Sequence, residues 1–303
     1  MSHLRLGICL LLVLCACRPS AWVPDPGLLL PWSPEAQESQ PWPLPYVAVF
    51  EQGAKALTYV AADHDNKLDS DTFRAVRWAF DDSRPQVVVI EGVRSEAGFN
   101  EPKLLELLRT APPSQLYEQR FEPGYAAQLA HDAGVPFIGA EPSEAELIAT
   151  CQRRGVSLED LFGLYVVRQT SQWRRAGKLE TTPIEQLVEE RAQSMAQRAG
   201  FDRDLLPSFE GFLAWYQRGM GEPYDPTRIG TGDAAPLGGP EATLPQRVNF
   251  HVNHARNEHI VGVIAAMLDD HDRVLVVYGG GHLLQQEPVL EALFGHPPRY
   301  EKP

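Results

Sequence analysis

Four short apolar runs, each ending on a charged or glycine-rich turn, set the rhythm of this chain. Leu57–Ala62 leads into Asp63 and His64, Val87–Ile90 into Glu91, Val135–Ala140 into Glu141, and Val274–Tyr278 into three glycines and His282. Consecutive apolar, largely β-branched positions of this length read as strands buried on both faces, as in a parallel sheet. Between them the pattern turns helical. Ser70 to Phe80 carries Phe73, Val76 and Phe80, with Asp69, Ser70 and Asp71 as capping oxygens and Pro85 as a stop. Helices are also expected over 101–108 and 124–133, and Ser143 with Glu146 has capping-box spacing for another. The compact strand–helix–strand unit over 57–90 predicts two adjacent parallel strands. Tyr46–Phe50 reads as an edge strand.

From Leu158 to Arg218 the strands stop. Periodic segments at 158–175 and 184–199 and an aromatic-rich one at 209–216 predict an all-helical insertion at about 157–220, either capping a site or packing on the sheet. Gly219 to Pro245 is Gly/Pro-rich and reads as a long loop. Val248 to Leu268 reads as one long helix, apolar in its second half. Its first half is unusually polar, with Asn249, His251, Asn253, His254, Arg256, Asn257, Glu258 and His259. The fold class that follows is α/β: a mostly parallel central sheet flanked by helices, with an all-helical insertion.

Composition adds bounds. At 303 residues, 44% apolar and 22% charged, the chain holds one large domain or two small ones. A net charge of −13 argues against a nucleic-acid partner, which needs a basic face. Arg5 followed by apolar Leu6–Leu14 is too short to span a bilayer and fits a signal peptide. Leu14-Cys15-Ala16-Cys17 fits a lipoprotein signal over 1–16, with Cys17 as the lipidated residue; an ordinary secretory signal is the alternative. Residues 17–46 hold eight prolines and read as an extended tether from the anchor to a domain over 47–300. Arg18 in place of an aspartate points to the outer membrane, facing the periplasm. Cys151 has no expected disulfide partner and reads as a small buried residue.

The strand ends carry the chemistry. His64 and His282 with Glu91 suit a divalent metal with nitrogen and oxygen ligands, such as zinc, manganese or cobalt. Glu91 is a candidate ligand or general base, and Arg256 a candidate partner for a carboxylate or an oxyanion. Glu141 is a weaker candidate because helix capping explains its surroundings, and His254 reads as a ligand or an outer group. The glycines at 279–281 would let the backbone turn sharply and approach a ligand closely. Without a following Lys-Ser/Thr they are not a P-loop. A plain hydrogen-bonding role for each histidine stands as the alternative.

Gly279-Gly280-Gly281-His282, the strand-ending Glu91, and Arg256-Asn257 on the late helix together resemble the TraB/PrgY/GumN/Tiki superfamily. Its relatives include erythromycin-esterase-like proteins and ChaN-type haem-binding lipoproteins. The first motif, Ala61-Ala62-Asp63-His64, departs from the pattern by an alanine where the family has glycine. The resemblance covers roughly 47–295 and brings in Asn257 as a site residue. It implies a metal-dependent hydrolase of peptidase or esterase type, acting on a peptide or an ester. A ChaN-like binding lipoprotein, with Tyr165, Tyr216 and Tyr224 available, is the alternative, as is an inactive scaffold, to which Ala61 lends weight.

Overall fold

The computed structural model describes residues 22–38, 40 and 42–303, and of residues 113–120 the backbone alone. The expected signal peptide and Cys17 lie outside the described residues. Along the chain come α1 (Pro34–Glu38), β1 (Tyr46–Gln52), β2 (Lys55–Ala62), α2 (Asp71–Ser83), β3 (Val87–Arg94), α3 (Pro102–Thr110), α4 (Pro113–Asp132) and β4 (Phe137–Glu141). They are followed by α5 (Glu144–Arg153), α6 (Leu158–Arg175), α7 (Ile184–Ala199), α8 (Phe209–Met220), α9 (Leu244–Asp270), β5 (Arg273–Gly279), α10 (Gly280–Phe294) and β6 (Arg299–Glu301). The six strands form one sheet in the order β4-β3-β5-β2-β1-β6. Its central pairs are parallel, and β1 runs antiparallel to both β2 and β6. The class is the α/β architecture expected, a mostly parallel sheet between helices.

Two expectations about neighbours are corrected. β2 and β3 are parallel but not adjacent, because β5, from near the end of the chain, lies between them and pairs with both. Local sequence sets the direction of a strand–helix–strand unit but not what is inserted into it. β1 is not an edge strand either, since β6 covers its outer side. The register puts Val60, Val277 and Ile90 side by side, so β2, β5 and β3 deliver their next residues to one edge of the sheet.

Alternation along the strands divides the core. Val60, Val88, Ile90, Leu275 and Val277 meet Phe73, Val76, Leu104 and Leu129 of α2, α3 and α4 on one face. Tyr59, Ala61, Val89, Val276 and Tyr278 meet Ile260, Ile264, Leu283 and Leu290 of α9 and α10 on the other. The helical insertion has its own core around Phe162, Phe212 and Trp215, which Val248, Val252 and Ala255 of α9 join. The long helix therefore serves two cores, its apolar second half under the sheet and its first half against the insertion.

The proline-rich segment does more than tether. Trp22 stacks on Phe294 with ring centroids 4.8 Å apart, Leu29 is buried with Val261 and Val289, and the Leu30 N–H donates to the Gln285 carbonyl at 3.0 Å. The prolines prevent long regular structure, but the apolar residues between them adhere to α9 and α10. Among the described residues no helix is long and apolar enough to cross a membrane.

β3 bulges after Ile90, where its register with β4 shifts. Gly139 of β4 lies under the bulge: a Cβ there would stand 2.0 Å from the Val93 carbonyl oxygen. Because the obstacle is backbone, Gly139→Ala is expected to cost at least about 2–3 kcal/mol, the upper part of the range for overpacking. Denaturant unfolding of the purified variant checks this, and wild-type stability would show that the bulge yields freely.

Candidate active site at the carboxyl edge of the sheet

Three strand ends converge on the carboxylate of Glu91. The Gly279 N–H donates to its Oε2 at 2.8 Å. His64 Nε2 lies 3.9 Å from the same oxygen. His282 Nε2 lies 3.8 Å from Oε1, and an Arg256 terminal nitrogen is 3.7 Å from Oε1. Two imidazoles and a guanidinium thus surround one acid, and the late insertion of β5 between β2 and β3 is what makes it so.

The glycines are needed for room. A Cβ on Gly279 would stand 2.8 Å from His64 Nε2, and one on Gly280 would stand 2.2 Å from the Leu44 side chain. None of Gly279, Gly280 and Gly281 is among the positive-φ glycines, and α10 starts directly after the strand. The expected sharp turn is absent, and what the missing Cβ atoms make room for is His64 and Leu44 of the chain itself. Ala61 is the last residue but one of β2, fully buried, opposite Tyr278 and with no positive φ, so alanine fits there without strain.

Each histidine is held from behind. His64 Nδ1 is 2.6 Å from Oε1 of Glu122, which is fully buried and whose Oε2 has no partner among the described residues. That hydrogen bond outweighs burial and raises the His64 pKa to about 9. His282 Nδ1 is 2.8 Å from Asn257 Oδ1, which also accepts from Gln286 Nε2 at 2.7 Å. Tyr59 donates to the side-chain Oε1 of Gln286 at 3.1 Å, and Asn257 Nδ2 donates to the Asn253 backbone carbonyl at 3.0 Å. The network makes Asn257 Oδ1 an acceptor, so His282 Nδ1 carries the hydrogen and Nε2 offers a lone pair toward Glu91. Burial, with the Arg256 charge second, lowers the His282 pKa to about 4, so the ring is neutral at pH 7.

Arg256 is clamped by Glu141 through a two-pronged pair at 2.8 and 2.7 Å. Burial alone would raise the Glu141 pKa, but the Arg256 charge and hydrogen bonds outweigh it and hold it at about 2. Glu141 thus reaches the site through Arg256. His254 stands apart: burial and then Arg154 lower its pKa, and its charged neighbours are Arg154, Glu258 and His251. The helical period turns it off the face that carries Asn253, Arg256 and Asn257. Tyr216 and Tyr224 pack on Phe212, with centroids 6.3 and 4.9 Å away, and neither lines the cavity at His282.

Glu122, Gln286 and Tyr59 were not expected at the site. Glu122 sits at a break inside α4, where Phe121 has φ 52° just before Pro123, and Phe-Glu-Pro-Gly in sequence reads only as a turn. Gln285 and Gln286 did carry a signal, since two adjacent amides in an otherwise apolar helix need buried partners.

Among the described residues no group of three His, Cys, Asp or Glu side chains is placed to hold a metal ion, so a divalent cation here would have to draw His64, Glu91 and His282 together. Tetrahedral coordination at about 2.1 Å sets ligand atoms about 3.4 Å apart. The two Nε2–carboxylate separations, 3.9 and 3.8 Å, exceed that by a few tenths of an ångström. An acceptor behind each imidazole is the arrangement that orients metal-binding histidines. A cavity of about 370 Å³ is bounded by His64, Arg256, Gly279 and His282, and another of about 350 Å³ by His64, Glu91, Val93, Leu104 and Phe121.

No protein-family model, curated protein or solved structure matches the chain. Fold and site define an α/β protein with a histidine–glutamate–arginine pocket at the carboxyl edge of its sheet.

Glu141 has a folded pKa of about 2 against an ordinary 4.5. The stability it contributes is present above pH 4.5 and is lost as pH falls toward 2, about 3 kcal/mol in all. Urea unfolding between pH 2 and 7 is expected to lose this limb in Glu141→Gln, and Arg256→Met is expected to cost about 3 kcal/mol at pH 7 by stranding the glutamate. Acid limbs of equal depth in wild type and Glu141→Gln would contradict the pairing.

Proposed function

We propose that this chain is a metal-dependent hydrolase of peptidase or esterase type, in keeping with its resemblance to the TraB/PrgY/GumN/Tiki superfamily. His64, Glu91 and His282 would hold a divalent cation such as zinc, manganese or cobalt. The observation that carries the reading is the pair of Nε2 atoms 3.9 and 3.8 Å from the two oxygens of one carboxylate, with both Nδ1 atoms engaged elsewhere. A bound cation of this kind polarises a carbonyl and brings the pKa of its water toward neutral.

The remaining work falls to the side chains. Glu122 and Asn257 orient the two imidazoles. The Gly279 N–H fixes one oxygen of Glu91 and leaves the other facing His282 and Arg256, where Glu91 serves as ligand or as general base. Arg256, immobilised by Glu141, supplies a fixed positive charge suited to the oxyanion that develops on a substrate carbonyl. The same reading includes a lipid anchor at Cys17 that holds the domain at the cell envelope, at the outer membrane facing the periplasm.

Purified protein is expected to carry about one equivalent of divalent metal by elemental analysis. His64→Ala and His282→Ala should abolish it, and Glu122→Gln should weaken affinity about 10- to 100-fold, as loss of an outer partner does. Hydrolysis of model esters and peptides should fall in the same order. Full metal occupancy in both histidine variants would refute the assignment.

A further inference from the structure

A further cavity, of about 350 Å³, adjoins the one at His282, and Arg168 and Arg256 line both. It lies between the helical insertion and the sheet edge. Arg94, Arg168, Arg191, Arg198 and Arg256 face only Glu141 and Glu144 among its acidic lining residues, so cations outnumber acids along the lining. This occurs in a chain of net charge −13.

The acids present are already engaged. Glu141 is taken by Arg256. Glu144, 7% exposed, is shared by Arg94 at 3.3 Å, Arg198 at 3.8 Å and Arg191 at 4.0 Å. Arg94 also reaches the exposed Glu96 at 3.7 Å, outside the cavity. The buried Nε of Arg191 has no hydrogen-bond partner among the described residues, and its guanidinium lies over the Tyr165 ring at 4.5 Å. Arg168, on α6, is exposed and has no side-chain hydrogen bond or ion pair among the described residues. It projects into open volume where this cavity, the one at His282 and a third beside Arg175 meet. Guanidinium groups crowded in a partly desolvated cavity repel one another unless an anion joins them.

We infer that this cavity is an anion subsite of the same active site, and that the substrate carries a phosphate monoester there, held by Arg168 with Arg191 and Arg198. The inference rests on the hydrolase reading for the word substrate and on the arginine cavity alone for the anion. A phosphate monoester fits better than a carboxylate. It brings close to two negative charges to a cavity in which arginines outnumber acids, and three terminal oxygens for several guanidinium forks where a carboxylate has two. Arg168 is a binding and positioning residue, linking this subsite to the cavity around His282.

Calorimetric titration of the full-length protein with inorganic phosphate, then phenyl phosphate, reads the subsite without turnover. Arg168→Gln should weaken phosphate binding about tenfold or more, the loss of one charge-assisted fork. Its melting temperature should stay level or rise, because the side chain has no partner to lose. His282→Ala should bind phosphate as wild type does, which separates arginine binding from phosphate on a metal and keeps this test distinct from a failure of the hydrolase reading. Displacement of bound phosphate by phenyl phosphate alone would identify a soluble ligand, and displacement by phosphatidic acid vesicles a lipid headgroup; either supports the subsite. Unchanged affinity in Arg168→Gln, affinity lost in His282→Ala but kept in Arg168→Gln, or no phosphate binding at all would overturn it.

Discussion

The carboxylate of Glu91 is the point on which the molecule turns. A backbone N–H from the end of β5 holds one of its oxygens, and imidazoles from β2 and α10 and a guanidinium from α9 face it within 4 Å. Apart from Gly279 and His282, these groups lie far apart in sequence. They meet because β5 enters the sheet between β2 and β3, so three parallel strands end at one edge. Open α/β sheets place ligands at such edges, where strand ends stop pairing and their next residues are free to face a pocket.

Charge around that carboxylate is arranged at two depths. Nearest are the four contacts themselves. Behind them stand Glu122 on His64, Asn257 on His282 and Glu141 on Arg256, each oriented by a hydrogen bond of 2.6 to 2.8 Å. The consequence is asymmetry between the two histidines. One, bonded to a buried acid, has its pKa raised to about 9, and the other, buried beside Arg256, has its pKa lowered to about 4. Hydrogen bonding to the charged form and desolvation of it act with opposite sign, and each ring is dominated by a different one. Farther out, the helical insertion adds Arg168 and Arg191 to a cavity in which cations outnumber acids.

Much of this was legible in the residues. The helices at Leu158–Arg175 and Ile184–Ala199 match their expected bounds because a Ser157–Asp160 capping box starts the first and Gly200, at φ 75°, ends the second. His64, Glu91, His282 and Arg256 were marked by standing just past apolar strands or on the polar half of an apolar helix. Strand adjacency was not legible, since β5 pairs with β2 across 217 residues (Ala56 with Arg273) and with β3 across 187 (Val87 with Val274). Nor was Glu122, whose burial comes from a kink at Phe121 that proline and glycine announce only as a turn. For His254 the polarity along α9 was visible while its facing was not, so a ligand and an outer group both stood open. Trp22 and Leu29 show the converse: prolines around them suggested a tether, and their apolar area drew the segment onto the domain.

The most direct test is crystallographic. Crystals of the protein exposed to zinc, with data collected on both sides of the zinc absorption edge, should show one strong anomalous peak within about 2.1 Å of His64 Nε2, His282 Nε2 and a Glu91 oxygen. The two imidazoles should close on the carboxylate by a few tenths of an ångström while their Nδ1 contacts to Glu122 and Asn257 persist. A peak elsewhere, or none with Arg256 still against Glu91, would contradict the metal-site account.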